Sequence, residues 1–344
     1  MSSPLLEANN LTIQYYTSSG PITAVSDASF AIDEGEYFGL VGESGCGKST
    51  IAKSLLGGLD ENGEITSGSI RYRGNEIQDM TEQELSEEIR WKEISYVPQG
   101  SMNSLDPLMR VHNQALKLAD IHTNLTETEA LDRLRELFDI VGISPERISD
   151  YPSQFSGGMR QRATIALGLF LKPSLVIADE PTTALDVIMQ DQVFKYLDDI
   201  QEEFQTSMLL ITHDISLVFE SCNSMAVMHS GQICETGTVN DIYYTPRHPY
   251  TILLQRSFPD VENPNRELIP IEGEPPQMGD DVNFCTFSDR CPWVIDECQQ
   301  AAPAPESTDT QSNMHFASCF RHQDMASLVK EDGIELESQE QEAD

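Results

Sequence analysis

Two short stretches near the start of the chain, LTIQYY and ITAVSDASF, alternate apolar and polar residues around the turn-rich SSGP, which predicts a β-hairpin or two antiparallel strands. The run YFGLVG at 37–42 ends in glycines and leads into TIAKSLLGGL, so the implied order is strand, glycine loop, helix. From 60 to 90 the composition turns acidic, with SGSIRYRG predicting a short strand and TEQELSEEIRWKE a helix. Residues 123–141 predict an amphipathic helix opened by a Thr126–Glu129 capping box, with Ala130, Leu131, Leu134, Leu137, Phe138 and Val141 on one face. That stripe reads most simply as core packing. LVIA at 175–178 predicts a buried parallel strand delivering Asp179 and Glu180 at its C-terminal end. A helix over QDQVFKYLDDIQEEF, the strand TSMLLITH, a further helix and the strand MAVMHSGQI follow. Strands alternating with helices indicate an α/β core. After residue 245 the pattern breaks into TPRHPY, FPDVENPNRELIPIEGEPPQ, a cysteine-bearing segment, APAPESTDT and an acidic end. A boundary is expected at 245–260, and mobility over roughly the last 20 residues.

The 344 residues are enough for about two domains at roughly 150 residues each, and 39% hydrophobic composition excludes wholesale disorder. Lys and Arg number 21 against 57 Asp and Glu, a formal charge of −36. A surface of that sign repels phosphates, so free nucleic acid is not an expected partner. The acidity looks like that of proteins from salt-loving, haloarchaeal organisms, where salt screens self-repulsion, the alternative being one acidic protein in an ordinary cell. No apolar run of about 18 residues occurs, and MSSPLLEANN has neither a basic start nor an apolar signal segment, so the expected location is the cytosol, with docking on a membrane protein open to it.

The chemistry begins at GESGCGKST. Residues Gly42, Glu43, Ser44, Gly45, Cys46, Gly47, Lys48, Ser49 and Thr50 fit the phosphate-loop pattern G-x-x-x-x-G-K-[ST] directly after a predicted strand. Backbone N–H groups there can surround α- and β-phosphates, Lys48 can reach the β- and γ-phosphates, and Ser49 can ligate Mg²⁺. A plain glycine turn before a helix would explain the glycines, but not why Lys48 and Ser49 follow Gly47. Asp179 and Glu180 take unequal roles: Asp179 in the Mg²⁺ shell, Glu180 polarising the water that attacks the γ-phosphate. In FSGGMRQR, Ser156, Gly157 and Gly158 open a second helix whose start could hold an anion, which implies a composite site shared with another subunit. The plainer account is an N-cap followed by flexible glycines.

The order phosphate loop, Gln99, FSGGM, LVIADE, TALD, His213 resembles the ATPase subunit of ATP-binding cassette (ABC) transporters over residues 5–250. That resemblance implies an α/β ABC-type P-loop NTPase core, with an antiparallel β-subdomain and an α-helical subdomain at about 100–165. It also implies two such domains closing head to tail, so that Ser156, Gly157 and Gly158 of one face the γ-phosphate held by the other. Tyr15, or less aptly Tyr16, matches the residue stacking on adenine; Gln99 matches the sensor of Mg²⁺ and γ-phosphate; His213 matches the switch histidine; Asp186 lies in the loop crossing the dimer interface. Lys48, Gln99, Glu180 and His213 are the implied catalytic set, and Ser49, Gln99 and Asp179 the implied Mg²⁺ ligands. The signature departs from the usual LSGGQ at Phe155 and Met159.

RHPYTILL at 247–254, the opening LLEANNLTIQY and the cysteine-rich segment resemble the ATPases of the oligopeptide, dipeptide and nickel import group, to about residue 322. The implied division is a nucleotide-binding domain at 1–250, a C-terminal extension at 251–322 and an acidic flexible tail at 323–344. The implied partners are two integral membrane permease subunits, a second related ATPase and an extracytoplasmic solute-binding protein, at the cytoplasmic face of the plasma membrane. Peptide is the expected solute, with nickel or oligosaccharide import and a soluble non-transport ATPase as alternatives. Of seven cysteines, Cys285, Cys291, Cys298 and Cys319 are spaced so that four thiolates could hold a [4Fe–4S] cluster or zinc. The resemblance favours the cluster, in a structural role. Cys46 sits in the phosphate loop, and Cys222 and Cys234 read as small core residues.

Overall fold

The computed structural model describes residues 3–100, 104–182, 190, 195, 205–259, 268–276, 283–308, 314–334 and 336. In chain order the strands are β1 (Leu6–Thr17), β2 (Gly20–Ile32), β3 (Tyr37–Val41), β4 (Gly63–Tyr72), β5 (Asn75–Glu76), β6 (Ile94–Val97), β7 (Leu175–Asp179), β8 (Ser207–Thr212), β9 (Ser224–His229), β10 (Gln232–Thr238), β11 (Glu306–Ser307) and β12 (Phe316–Ala317). The helices that matter below are α1 (Lys48–Leu55), α2 (Val111–His122), α3 (Glu127–Ile140), α4 (Gly157–Gly168), α5 (Ile215–Ser221), α6 (Val239–Tyr244), α7 (Pro249–Ser257) and α8 (Met325–Glu331). The chain divides into two compact units: Met1–Ala31, Phe38–Gln78 and Thr212–Asp344 form the first, Ile32–Tyr37 and Asp79–Ile211 the second. No helix among the described residues is long and apolar enough to cross a membrane.

In the first unit, β2, β1, β4 and β5 form an antiparallel sheet, the expected hairpin enlarged by two strands. Along β1, Leu6 and Ala8 are buried at even positions, Leu11 and Ile13 at odd ones. A bulge between Asn9 and Thr12 makes that change of parity possible without turning either pair to water. Asn10 adopts φ 49 there, and its amide donates to Asp27 Oδ1 at 2.7 Å. Opposite stands Gly68 at φ +89, where a Cβ would lie 2.4 Å from Asn10 O, so only glycine fits.

The same unit carries β3 parallel to β9, followed by the antiparallel β9–β10 pair. Here the chain expected as a C-terminal extension adds strands to the same sheet. β12 pairs antiparallel with β10 through Glu235↔Ala317 and Thr236↔Phe316, β11 adds to β12, and residues 212–344 fall in one compact unit with the phosphate loop. Strands of two residues carry no periodicity, so the sequence pattern could not announce them. The segment expected to be a flexible tail opens with α8, whose Met325 and Val329 are buried with Ile252 and Trp293. Burying such side chains contributes about 1.5–3 kcal/mol each, enough to hold a short helix down.

The second unit is built on parallel strands β6, β7 and β8, paired Ile94↔Leu175 to Val97↔Ala178 and Leu175↔Ser207 to Asp179↔Ile211. α3 begins with the expected capping box: Glu129 N–H donates to Thr126 Oγ1 at 3.3 Å, and Thr126 N–H to Glu129 Oε2 at 2.8 Å. Its stripe is buried as expected, Leu131 only half so. TEQELSEEIRWKE, by contrast, is one capped helical turn at Glu82–Glu84 that widens into a π-helical turn at Leu85–Ile89. The helix expected over QDQVFKYLDDIQEEF falls almost wholly outside the described residues.

Candidate functional site

β3 is buried along its length and delivers the chain into the phosphate loop. Gly47, at φ +110, is the N-cap of α1, and a Cβ on it would lie 2.6 Å from Ala24 O. A glycine cap has no side chain to occupy the first-turn N–H groups, and the helix ladder starts only with Ile51 N–H donating to Gly47 O at 3.1 Å. Those N–H groups and the positive end of the helix dipole are what an anion requires. Lys48 is buried, its Nζ donating to Gly42 O at 2.7 Å and Glu43 O at 2.9 Å, which holds a compact positive charge against the loop. Burial pushes the Cys46 thiol up, keeping it out of ionic chemistry.

Glu43 is tied at both ends. Its backbone N–H donates to Tyr250 Oη at 3.0 Å, and its carboxylate accepts from Arg290 Nη1 and Nη2 at 2.7 and 2.8 Å. Neither Arg290 nor Tyr250 was among the sequence candidates, and with 247 residues between Glu43 and Arg290 no local pattern could have flagged the pair.

In the second unit the parallel register explains the acidic pair. Val97 stands opposite Ala178, so the residues two further on, Gln99 and Glu180, emerge side by side, and Gln99 Nε2 donates to Glu180 Oε2 at 2.6 Å. Glu180 takes a left-handed backbone, φ 47, with its N–H donating to Ile211 O at 2.8 Å. Asp179 is buried, and its Oδ2 accepts from Tyr96 Oη at 3.0 Å. Burial, and then Asp179, push the Tyr96 phenol up, so it stays a donor. The result is a carboxylate at a strand end and a second carboxylate held by an amide.

Ser156 is the N-cap of α4, its Oγ accepting from Met159 N–H at 3.3 Å. Arg147 accounts for the two departures in FSGGM. Its guanidinium lies 4.9 Å from the centroid of the buried Phe155 ring, donates to Met159 Sδ at 3.3 Å and is anchored on Asp150 at 2.7 Å. Phe155 and Met159 thus brace the turn, while Ser156, Gly157 and Gly158 begin the helix.

Tyr15 stands opposite Gly63, its ring close enough that a Cβ on Gly63 would lie 2.8 Å from Cε1. Tyr16 is exposed, as is His213 just past the end of β8. Tyr15, the phosphate loop and His213 belong to the first unit; Gln99, Ser156, Gly157, Gly158, Asp179 and Glu180 belong to the second. Asp186 lies outside the described residues.

The metal expectation is corrected. Among the described residues no group of three or more His, Cys, Asp or Glu side chains is arranged to hold a metal ion, which overturns the [4Fe–4S] cluster and its zinc alternative at Cys285, Cys291, Cys298 and Cys319. All seven cysteines are free thiols. Burial pushes Cys285 up to about 11 and Cys291 and Cys319 up to about 12, and Cys291 and Cys319 pack against the Ile252, Trp293, Met325 and Val329 cluster as small apolar groups.

Comparison with known proteins shows the family. Residues 25–183 match the ABC transporter family, and residues 234–298 match the oligopeptide/dipeptide transporter C-terminal region. The chain is 40% identical over 301 residues to the oligopeptide transport ATP-binding protein OppD of Salmonella typhimurium, covering 87% of this chain and 89% of that protein. It is 42% identical over 277 residues to the dipeptide transport ATP-binding protein DppD of Lactococcus lactis, covering 80% and 79%. Among solved structures, the dimeric post-hydrolysis state of the ATP-binding cassette MJ0796 bound to ADP and Pi superposes with a TM-score of 0.61 at 27% identity, covering 68% of this chain and 98% of that one.

Proposed function

Because this chain belongs to the family of ATP-binding proteins of oligopeptide and dipeptide ABC transporters and is an ATPase with the ABC-type fold, we propose that it energises peptide import by nucleotide-driven closure of an ATPase dimer. The first-turn N–H groups of α1 and the Lys48 ammonium bind the β- and γ-phosphates. Tyr15 stacks on the adenine, and His213 steadies the γ-phosphate. Ser49, Asp179 and Gln99 offer the hard oxygen donors that Mg²⁺ takes, and Mg²⁺ when bound spreads the charge of the β- and γ-phosphate oxygens. Glu180 accepts the proton of the attacking water, and Gln99 orients that carboxylate. Ser156, Gly157 and Gly158 serve the site of the dimer partner, with Asp186 in the loop between the two. The assembly is read as two membrane permease subunits, a second ATPase and an extracytoplasmic solute-binding protein, with this chain at the cytoplasmic face.

The single observation carrying the hydrolytic reading is the 2.6 Å bond from Gln99 to Glu180, which aims a carboxylate from a strained backbone at a strand end. The test is a tagged Glu180→Gln chain recovered from its native membrane. It should retain ATP, copurify with two membrane proteins and lose turnover on the order of a hundredfold. Unchanged turnover in the assembled complex sinks the role of Glu180; copurification with ribosomal or repair proteins alone sinks the transport reading.

A further inference from the structure

The second residue of the phosphate loop poses a problem of sign. Glu43 sets a carboxylate in a loop whose task is to hold phosphates, and left alone its charge would oppose every nucleotide that enters. The structure answers with Arg290, whose two terminal nitrogens grip the two carboxylate oxygens at 2.7 and 2.8 Å, the paired geometry that a planar guanidinium favours. This is no loose surface pair, because the Arg290 side chain is only 4% exposed.

Arg290 is itself held on several sides. Its Nε donates to Glu272 O at 3.0 Å, its guanidinium lies 5.6 Å from the Phe287 ring centroid, and its Nη1 meets His229 Nε2 at 3.2 Å. Burial first, and then Arg290, push His229 down to about 3, so the ring is neutral. A guanidinium can only donate, so Nε2 accepts, and the Nδ1 proton goes to Thr286 Oγ1 at 2.9 Å. Tyr250 completes the clamp from another direction by accepting the Glu43 N–H. Both holds on Glu43 thus come from the chain beyond residue 245, outside every nucleotide-site motif.

We propose that Arg290 is a positioning residue of the nucleotide site, which cancels the charge of Glu43 and fixes the rim of the phosphate loop so that ATP can bind. The proposal rests on reading residues 42–50 as the phosphate site. It makes the cysteine-rich segment a determinant of ATP affinity, through a charge pair and without any metal.

The test is titration of a fluorescent ATP analogue into the full chain with Mg²⁺, comparing wild type, Arg290→Met, Arg290→Lys, Glu43→Gln and the double variant Glu43→Gln/Arg290→Met. Arg290→Met should raise Kd about tenfold or more, Arg290→Lys less, and the double variant should return to within about threefold of wild type, because removing both charges removes the conflict. Thermal unfolding of each variant separates lost folding from lost binding. Arg290→Met binding within twofold of wild type would overturn the proposal. So would a double variant as weak as Arg290→Met, since a mere prop is not rescued by deleting the charge it faces. A wild-type chain that binds no nucleotide would instead overturn the phosphate-loop reading, and this proposal with it.

Discussion

The two glycine-rich helix starts in this protein look alike in sequence and differ in what they offer an anion. α1 begins at Gly47 with no side chain on its first-turn N–H groups, whereas α4 begins at Ser156, whose Oγ already accepts from Met159 N–H. The phosphate loop is therefore a backbone site, fixed by strand β3 and open as built. The FSGGM turn is a side-chain site: Ser156 accepts from its own helix and keeps one O–H to donate elsewhere. That division fits the roles proposed above, a loop that holds nucleotide throughout and a turn that meets it only when a partner closes.

Acid should separate the two regions most. Behind the phosphate loop lie His229 and His248, both buried, driven down to about 3 and about 4, chiefly by burial. In the unfolded chain they take up protons near pH 6.5, so stability is complete above that value and falls as pH drops towards the folded values. Each ring costs about 1.4 kcal/mol per pH unit, together on the order of 4 kcal/mol by pH 5. The denaturant midpoint should fall between pH 7 and 5; a flat midpoint would mean that the rings are protonated in place. Gly47→Ala comes next: a Cβ forced to φ +110 against Ala24 O costs about 3 kcal/mol, on the order of a hundredfold in ATP affinity by titration. Ser156→Ala is the mildest. Loss of the cap costs about 1 kcal/mol in thermal unfolding, leaves ATP binding by the same chain unchanged and lowers turnover of the assembled dimer. Weakened ATP binding by that variant alone would erase the distinction between the two helix starts.

Much of this was legible because it is local. The phosphate loop, the capping box at Thr126 and Glu129, and the strand ending in Asp179 all rest on residues a few places apart. Gln99 and Glu180 were each named from the sequence, but their contact was not, since it depends on the register of β6 against β7. The parity change in β1 stayed hidden because one unpaired residue at Asn10 reverses an alternation that a short window reads as continuous. Cysteine spacing misled in the opposite direction: of four thiols at suggestive intervals, two, Cys291 and Cys319, became packing for Trp293 and its neighbours. Arg290 was invisible for a simpler reason, since nothing in a sequence joins two residues 247 apart except the fold.

That separation also sets an order of events at the ribosome. At about 5–20 residues per second, the 247 residues between Glu43 and Arg290 take roughly 12–50 s to synthesise. Throughout that interval the nascent chain carries a complete phosphate-loop motif whose carboxylate has no guanidinium to answer it. β12 and α8 emerge later still, so the unit that holds the loop closes only after residue 331 has been made. If Arg290 acts as proposed, the newborn chain does not hold ATP tightly before residue 290 has joined Glu43.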